Sequence, residues 1–475
     1  MENKKILSNF IWRFAERCGA QLVMFVVSVV LARILEPEAY GIIALLTVFT
    51  TILQVFVDSG LGNALIQKKD ADDVDFSTVF YTNVVFCIVL YALLFLCAPL
   101  IATFYRNQSL VSLLRVLGLT IVVSGVKNIQ QAYVSRHLMF KKFFFSTLGG
   151  TIAAAFAGIT LAMRGYGAWA LVAQQVVNVT IDTAILWIIV KWRPKRIFSI
   201  QRLKSLFFYG WKLLISGLLD VGYNNIRQLI IGKLYTSSDL AYYNSGKQFP
   251  CFIVENINSS IDSVLFPVMS SVQDNRENVK QMTRRSIKVS VYIMAPMMIG
   301  LAFIADSIVT LILTDKWLEC IPYLRIFCIT YMFLPMHTAN LNAIKAMGRS
   351  DLFLKLEIMK KCVGMILLFS TMWFGVKVMA YSLLVSNVTS QIINSWPNKK
   401  LLNYGYMEQL KDILPSIILA ILMGACIYPV AALKIPVILT LLLQVILGML
   451  IYVVGSILLK LSSFQYIYSL IKKKG

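Results

Sequence analysis

LFFYGWKLLISGLLDVGYNNIRQLIIG, running from Leu206 to Gly232, is an apolar run of helix length that carries five polar or charged side chains where a lipid-facing helix would carry none. Lys212, Ser216, Asp220, Asn224 and Arg227 are spaced by four, four, four and three residues. At about 100° per residue they share an arc of roughly 120°, so one stripe is wet and the rest greasy. A charge at the centre of a bilayer costs about 2.5 to 3.5 kcal/mol on insertion scales. The stripe must therefore face protein or water.

The start of the chain repeats the design. Arg13, Glu16, Arg17 and Gln21 share one face of an apolar helix that ends at Arg33. Trp12-Arg13 is echoed by Trp211-Lys212, Arg33 by Lys233 and Ala39-Tyr40 by Ala241-Tyr242, each at an offset of about 200 residues. The chain reads as two repeats.

Composition sets the class. Of 475 residues 58% are hydrophobic and 14% charged, with a mean hydropathy of +0.73, whereas a soluble domain has about a quarter of its residues charged. Apolar segments of the ~20 residues that cross hydrocarbon recur near 10–34, 40–66, 77–103, 109–134, 143–163, 167–190, 206–232, 240–270, 287–312, 320–344, 352–374, 377–396, 412–432 and 436–459. The expectation is an all-α polytopic membrane protein of about fourteen transmembrane helices. It divides into an N-lobe at 1–190, a basic connector at 191–205, a C-lobe at 206–398, and two further helices with a basic tail at 399–475. The first apolar segment, with Arg13 and Arg17 inside its start and no small-residue cleavage pattern, reads as a span and not a signal peptide.

In a soluble chain a net charge of +22 would suggest nucleic acid; here its distribution excludes that partner. With the N-terminus placed in the cytoplasm, each outer loop holds one cation, namely Arg33, Arg106, Arg164, Lys233, Lys316, Lys377 and Lys434. Inner loops and tails hold most of the remainder. This is the positive-inside pattern, in which the basic excess sets topology and touches anionic headgroups. The eight cysteines never form Cys-x-x-Cys and read as small hydrophobes without a metal or disulfide role.

Two connectors stand out. Gln67 to Asp75 mixes Lys68-Lys69 with Asp70, Asp72, Asp73 and Asp75 and reads as a solvated turn, because nothing is spaced to complete a metal site. Lys191, Arg193, Lys195, Arg196, Arg202 and Lys204 make the most basic connector, read as a topology anchor. No connector is long enough for an ATPase or a nucleotide-sugar fold, and Gly-x-x-x-x-Gly-Lys-[Ser/Thr] is absent. No cofactor is expected, and energy would come from ions, potential or a substrate gradient.

The intramembrane charges number six cations, Arg13, Arg17, Lys212, Arg227, Lys247 and Arg325, and six acids, Glu16, Asp58, Asp182, Asp220, Glu255 and Asp262. They concentrate on the first, second, seventh and eighth spans, equivalent places in the two repeats. A substrate chamber between two lobes is the simplest expectation, as in transporters built from parallel repeats. Some charges would pair; unpaired guanidinium and ammonium groups would suit phosphate, and Asn224, Asn225, Asn256, Asn258 and Gln54 could hydrogen-bond sugar hydroxyls. Asp58, Asp220, Glu255 and Asp262 are the ion-coupling candidates. His337, near a helix middle, reads as a packed, satisfied histidine.

Ser8-Asn9-Phe10-Ile11-Trp12-Arg13, Leu31-Ala32-Arg33-Ile34-Leu35-Glu36-Pro37-Glu38-Ala39-Tyr40-Gly41 and Phe56-Val57-Asp58-Ser59-Gly60-Leu61 resemble the opening of bacterial polysaccharide exporters of the Wzx type. The nearest branch is that of the colanic-acid and teichuronic-acid exporters, in the multidrug/oligosaccharidyl-lipid/polysaccharide (MOP) superfamily, whose drug-exporting members are the MATE transporters. The sharp motif covers about the first 65 residues, and the layout of six, six and two helices extends the likeness. The resemblance implies a flippase of the bacterial inner membrane, with both termini cytoplasmic. It would move undecaprenyl-pyrophosphate-linked oligosaccharide to the outer leaflet by alternating access, alongside polysaccharide polymerase and assembly proteins. It transfers a substrate role to Arg13 and Arg17 first, then to Lys212, Arg227 and Lys247; six acids depart from a purely cationic cavity. A cation-coupled multidrug exporter of the same superfamily is the alternative. An enzyme would need catalytic acids or histidines on substantial outer loops, and these loops are a few residues long.

Overall fold

The computed structural model describes residues 2–58, 61–68, 70–433 and 435–472, and these are helical without a strand. Each expected span is a helix or two consecutive ones. The first repeat is α1 (Glu2–Ile34), α2 (Pro37–Asp58) followed by the short α3 (Leu61–Gln67), α4 (Asp73–Phe104), α5 (Ser109–Arg136), α6 (Phe140–Met163) and α7 (Ala168–Ile189). Next come α8 (Ile200–Leu234), α9 (Ser237–Ser270), α10 (Arg276–Phe303), α11 (Ala305–Ile312), α12 (Ile321–Met332), α13 (Leu334–Ala346), α14 (Ser350–Thr371) and α15 (Val376–Leu401). The chain ends with α16 (Tyr406–Ile427), α17 (Val437–Leu458) and α18 (Ser462–Lys472). Ten of these segments are long and apolar enough on their own to cross a membrane. The remaining expected spans, α1, α8, α9 and α14, are the ones that polar stripes dilute.

Local chemistry explains several boundaries. Pro37 opens α2, where its missing N–H and fixed φ cost nothing. Asp72 caps α4 by accepting from the amides of Val74 and Asp75, while the Asp75 carboxylate accepts from the Asp72 amide, a reciprocal capping box. Pro335 breaks the tenth span into α12 and α13.

By compactness the chain forms two units, Met1–Ala241 and Tyr242–Gly475, so the break falls inside α9 and not at the basic connector. The reason is α8, which packs on α2, α3 and α4. Within the first unit α1 packs on α6, α6 on α7, and α4 on α5. At Gly41 α2 and the start of α9 nearly touch, since a Cβ there would lie 1.7 Å from the Ser237 carbonyl oxygen; only glycine allows this approach. The second unit is built on α10, which packs on α12, α13 and α16, with α14 on α15 and α16 on α17. Cys87, Cys320 and Cys328 are buried, whereas Cys97, Cys362 and Cys426 lie on the outer surface with free thiols.

Candidate functional site

In the first unit the polar groups of α2, α5 and α7 converge. Gln54 and Asn128 donate to Asp58 at 3.0 and 3.2 Å. Beside Asn128, Lys127 donates to Asp182 and forms an ion pair whose side chains are 18% and 7% exposed. Burial at this level makes the pair obligatory, because a lone charge there would be uncompensated. On α1, Glu16 is buried and accepts from Thr147 of α6 at 3.3 Å. Arg115, also on α5, stays out of this cluster: its guanidinium lies 3.9 Å over the Phe95 ring and its Nε donates to the Phe95 carbonyl.

The wet stripe of α8 divides in two. Ser216, Asp220 and Asn224 are exposed, and Asn224 donates to Asp220 at 3.4 Å one turn earlier; Arg227 is buried. Both ends of the helix are fastened to α4. At its start Arg202 donates to Asp72 at 2.8 Å and to Asp75 at 3.0 Å, and at its end Lys233 donates to the Phe104 carbonyl with its ammonium 4.0 Å over the Phe104 ring. Tyr105 adds a hydrogen bond to the Leu229 carbonyl at 3.4 Å. A helix held at both ends presents its polar midsection. The side chains of Arg13, Arg17 and Lys212 lie outside the described residues.

In the second unit α9 presents Glu255, Asn256, Ser259 and Asp262 on its exposed side, with Lys247 half-buried. The Cys251 thiol donates to Glu255 at 2.9 Å, and Asn342 donates to Asp262 at 2.7 Å. Arg325 is held elsewhere, by Asp306 at 2.5 Å and the Ala302 carbonyl at 3.2 Å. His337 is buried, with Nε2 3.0 Å from Asn387 Oδ1 and Nδ1 2.9 Å from Asn394 Nδ2. Nδ1 thus accepts and Nε2–H donates, which specifies one neutral tautomer in a packing role. The same region holds a buried amide network that helix periodicity does not reveal: Asn340 donates to Gln409, and Gln409 and Asn398 donate back to Asn340 Oδ1.

The two connectors form a clasp. Asp75, fully buried, accepts from Lys68 at 2.7 Å and from Arg202 at 3.0 Å, while Lys195 pairs with Asp73 at 2.6 Å. The acidic turn, read from sequence as solvated, is the counter-charge of the basic connector. In the second unit Arg284 of α10 makes a bidentate pair with Asp412 of α16 at 2.6 and 2.7 Å, and Tyr404 donates to the same carboxylate at 2.9 Å.

Comparison with known proteins follows from this fold. A family described as "Polysaccharide biosynthesis protein" matches residues 30–322. Among curated proteins, the teichuronic acid biosynthesis protein TuaB of Bacillus subtilis is 24% identical over 352 residues, 74% of this chain and 73% of TuaB. The lipopolysaccharide biosynthesis protein WzxC of Escherichia coli is 24% identical over 338 residues, 70% of this chain and 68% of WzxC. Among solved structures, the lipid II flippase MurJ in an inward closed conformation superposes with a TM-score of 0.74 at 16% identity, covering 95% of this chain and 99% of MurJ. An inward-facing multidrug resistance MATE transporter of the MOP superfamily gives 0.63 at 13% identity, covering 81% and 94%.

Proposed function

Because the chain belongs to the polysaccharide biosynthesis protein family, we propose that it is a flippase carrying an undecaprenyl-pyrophosphate-linked oligosaccharide across the bacterial cytoplasmic membrane by alternating access. The observation that carries the reading is the family match together with a MurJ-like fold. A greasy exterior with wet helix faces suits a substrate whose tail stays in lipid while its head crosses. In this reading both termini and the basic connector lie in the cytoplasm. Arg13, Arg17 and Lys212, with Arg227 and Lys247, engage the pyrophosphate, and Asn224 the sugars. Polysaccharide polymerase and assembly proteins act on the product. Arg325, already paired with Asp306, contributes least.

A second reading, a cation-coupled multidrug exporter, is favoured by the carboxylates gathered on polar partners, Asp58 with Gln54 and Asn128 and Asp262 with Asn342, which suit proton or sodium binding. Reconstituted vesicles distinguish the two. A lipid-linked oligosaccharide should become accessible on the far leaflet in protein-dependent fashion, and Arg13→Ala with Arg17→Ala should abolish this while the protein still folds. Unchanged translocation by that variant would remove the assigned site; drug efflux without any lipid-linked substrate movement would select the second reading.

A further inference from the structure

A cavity of about 300 Å³ lies between α10 and α18, lined by Gln281, Arg284, Arg285, Lys288, Ser463 and Tyr466 among others. Its charge is lopsided. Three of its lining residues are cations and none is an acid. Behind it the Asp412 carboxylate is shared by Arg284 at 2.6 Å and Lys288 at 3.7 Å, and Arg285 lies against an aromatic face, its guanidinium 4.6 Å from the centre of the Tyr466 ring. A third wall is the first turn of α18, which begins at Ser462. First-turn amides have no acceptor within their own helix and carry partial positive charge.

A concave site with two arginines, a lysine, helix-end amides and serine and tyrosine hydroxyls has the chemistry of a phosphate receptor. Its depth in the bilayer names the phosphate. The site spans the second to fourth turns of α10 and the point where the chain leaves α17, so in the topology proposed above it sits at the inner headgroup layer. α18 is amphipathic, with Phe464 and Tyr468 stacked one turn apart, and is followed by further lysines, Lys473 and Lys474. Helices of this kind lie in the interface, and a juxtamembrane basic segment is drawn to anionic lipid.

We propose that this cavity binds the phosphodiester of an anionic glycerophospholipid of the inner leaflet, and that the bound headgroup seats α18 against α10. The lipid is a resident ligand distinct from the transported substrate, and its binding site goes beyond the flippase reading, on which only the choice of leaflet rests.

The test uses the full-length protein in nanodiscs of phosphatidylcholine with or without phosphatidylglycerol, with lipid retention after detergent extraction read by native mass spectrometry. Arg285→Gln with Lys288→Gln removes two cations and leaves the bidentate Arg284–Asp412 pair intact. At roughly five-fold per cation near a charged surface, phosphatidylglycerol retention should fall on the order of 25-fold while phosphatidylcholine retention is unchanged. Ser462→Asp is the second variant. An acid at a helix start favours the helix, so α18 should hold while the phosphate is repelled and retention drops. Equal retention of phosphatidylglycerol by the wild type and both variants overturns the proposal. So does displacement of the lipid by millimolar inorganic phosphate, which would make the site one for a soluble anion. A wild type that moves no lipid-linked oligosaccharide, yet retains phosphatidylglycerol that both variants lose, would instead count against the flippase reading and leave this site standing.

Discussion

Asp75 is the centre of the clasp in the first unit. Its carboxylate is fully buried, closes the cap of α4, and accepts from both Lys68 and Arg202. Asp75→Asn keeps the shape and removes the charge. The Asp72 amide keeps an acceptor, so most of the capping box survives, but two charge-assisted hydrogen bonds become ordinary ones and two cations lose a buried counter-charge. Breaking a fully buried pair costs about 3 to 5 kcal/mol. Lys68 and Arg202 are 35% and 37% exposed, and water takes over part of their solvation, so about 2 to 3 kcal/mol is the expected loss. For a unit of this size that is roughly 4 to 12 °C in midpoint, readable as the melting of a fluorescent-protein fusion followed by size-exclusion chromatography. Arg202→Ala is the control. It leaves Asp75 paired with Lys68 and the cap closed, so its shift should be a small part of that of Asp75→Asn. Equal shifts, or a silent Asp75→Asn, would refute the claim that buried Asp75 is the centre of the clasp.

The same clasp should be sensitive to acid. Burial pushes the Asp72 carboxyl up, but the Asp75 amide and the Arg202 guanidinium outweigh it and hold the group below the usual carboxylate range. A depressed folded-state value contributes stability that is present above the unfolded value of about 4 and is lost as pH falls through the folded one; melting followed from pH 7 to 3 should show this loss, and Asp72→Asn should flatten it. Lys127→Met strands Asp182 at 7% exposure and should cost about 3 to 5 kcal/mol, whereas the double variant Lys127→Met with Asp182→Leu should recover most of it, as fusion melting would show. Gly41→Ala drives a Cβ onto the Ser237 carbonyl and should cost about 3 kcal/mol through overpacking against backbone, seen as lost monodisperse yield.

The sequence disclosed what depends on single-helix periodicity. The span pattern, the wet faces of α8 and α9 and the packed state of His337 were all visible because burial and exposure repeat every three or four residues along one helix. Pairings between helices were not. Asp58 could be seen as polar on α2, but its meeting with Asn128, 70 residues later in the chain, depends on how α2 packs on α5. α18 falls within the expected basic tail; its helical signal is Phe464 and Tyr468, one turn apart on one face. The Asn340, Asn398 and Gln409 network hid because amides carry no charge to flag them in an apolar helix.

The clasps show why a repeat can be partly illegible even when its echoes are plain. Trp12-Arg13 and Trp211-Lys212 betray the duplication because the same residue types recur. The contact that ties each half to its outgoing segment does not recur in type. In the first half the acid, Asp75, sits at the start of the third span and the cation, Arg202, on the chain leaving the half. In the second half Arg284 lies on the third span and Asp412 on the outgoing helix. The sign is exchanged. An ion pair depends on opposite charge at short range and is indifferent to which side bears which, so a duplicated fold can keep the contact while swapping its members. Searching for identical residues at a 200-residue offset finds the first kind of echo and passes over the second, and only the paired distances bring the two clasps into correspondence.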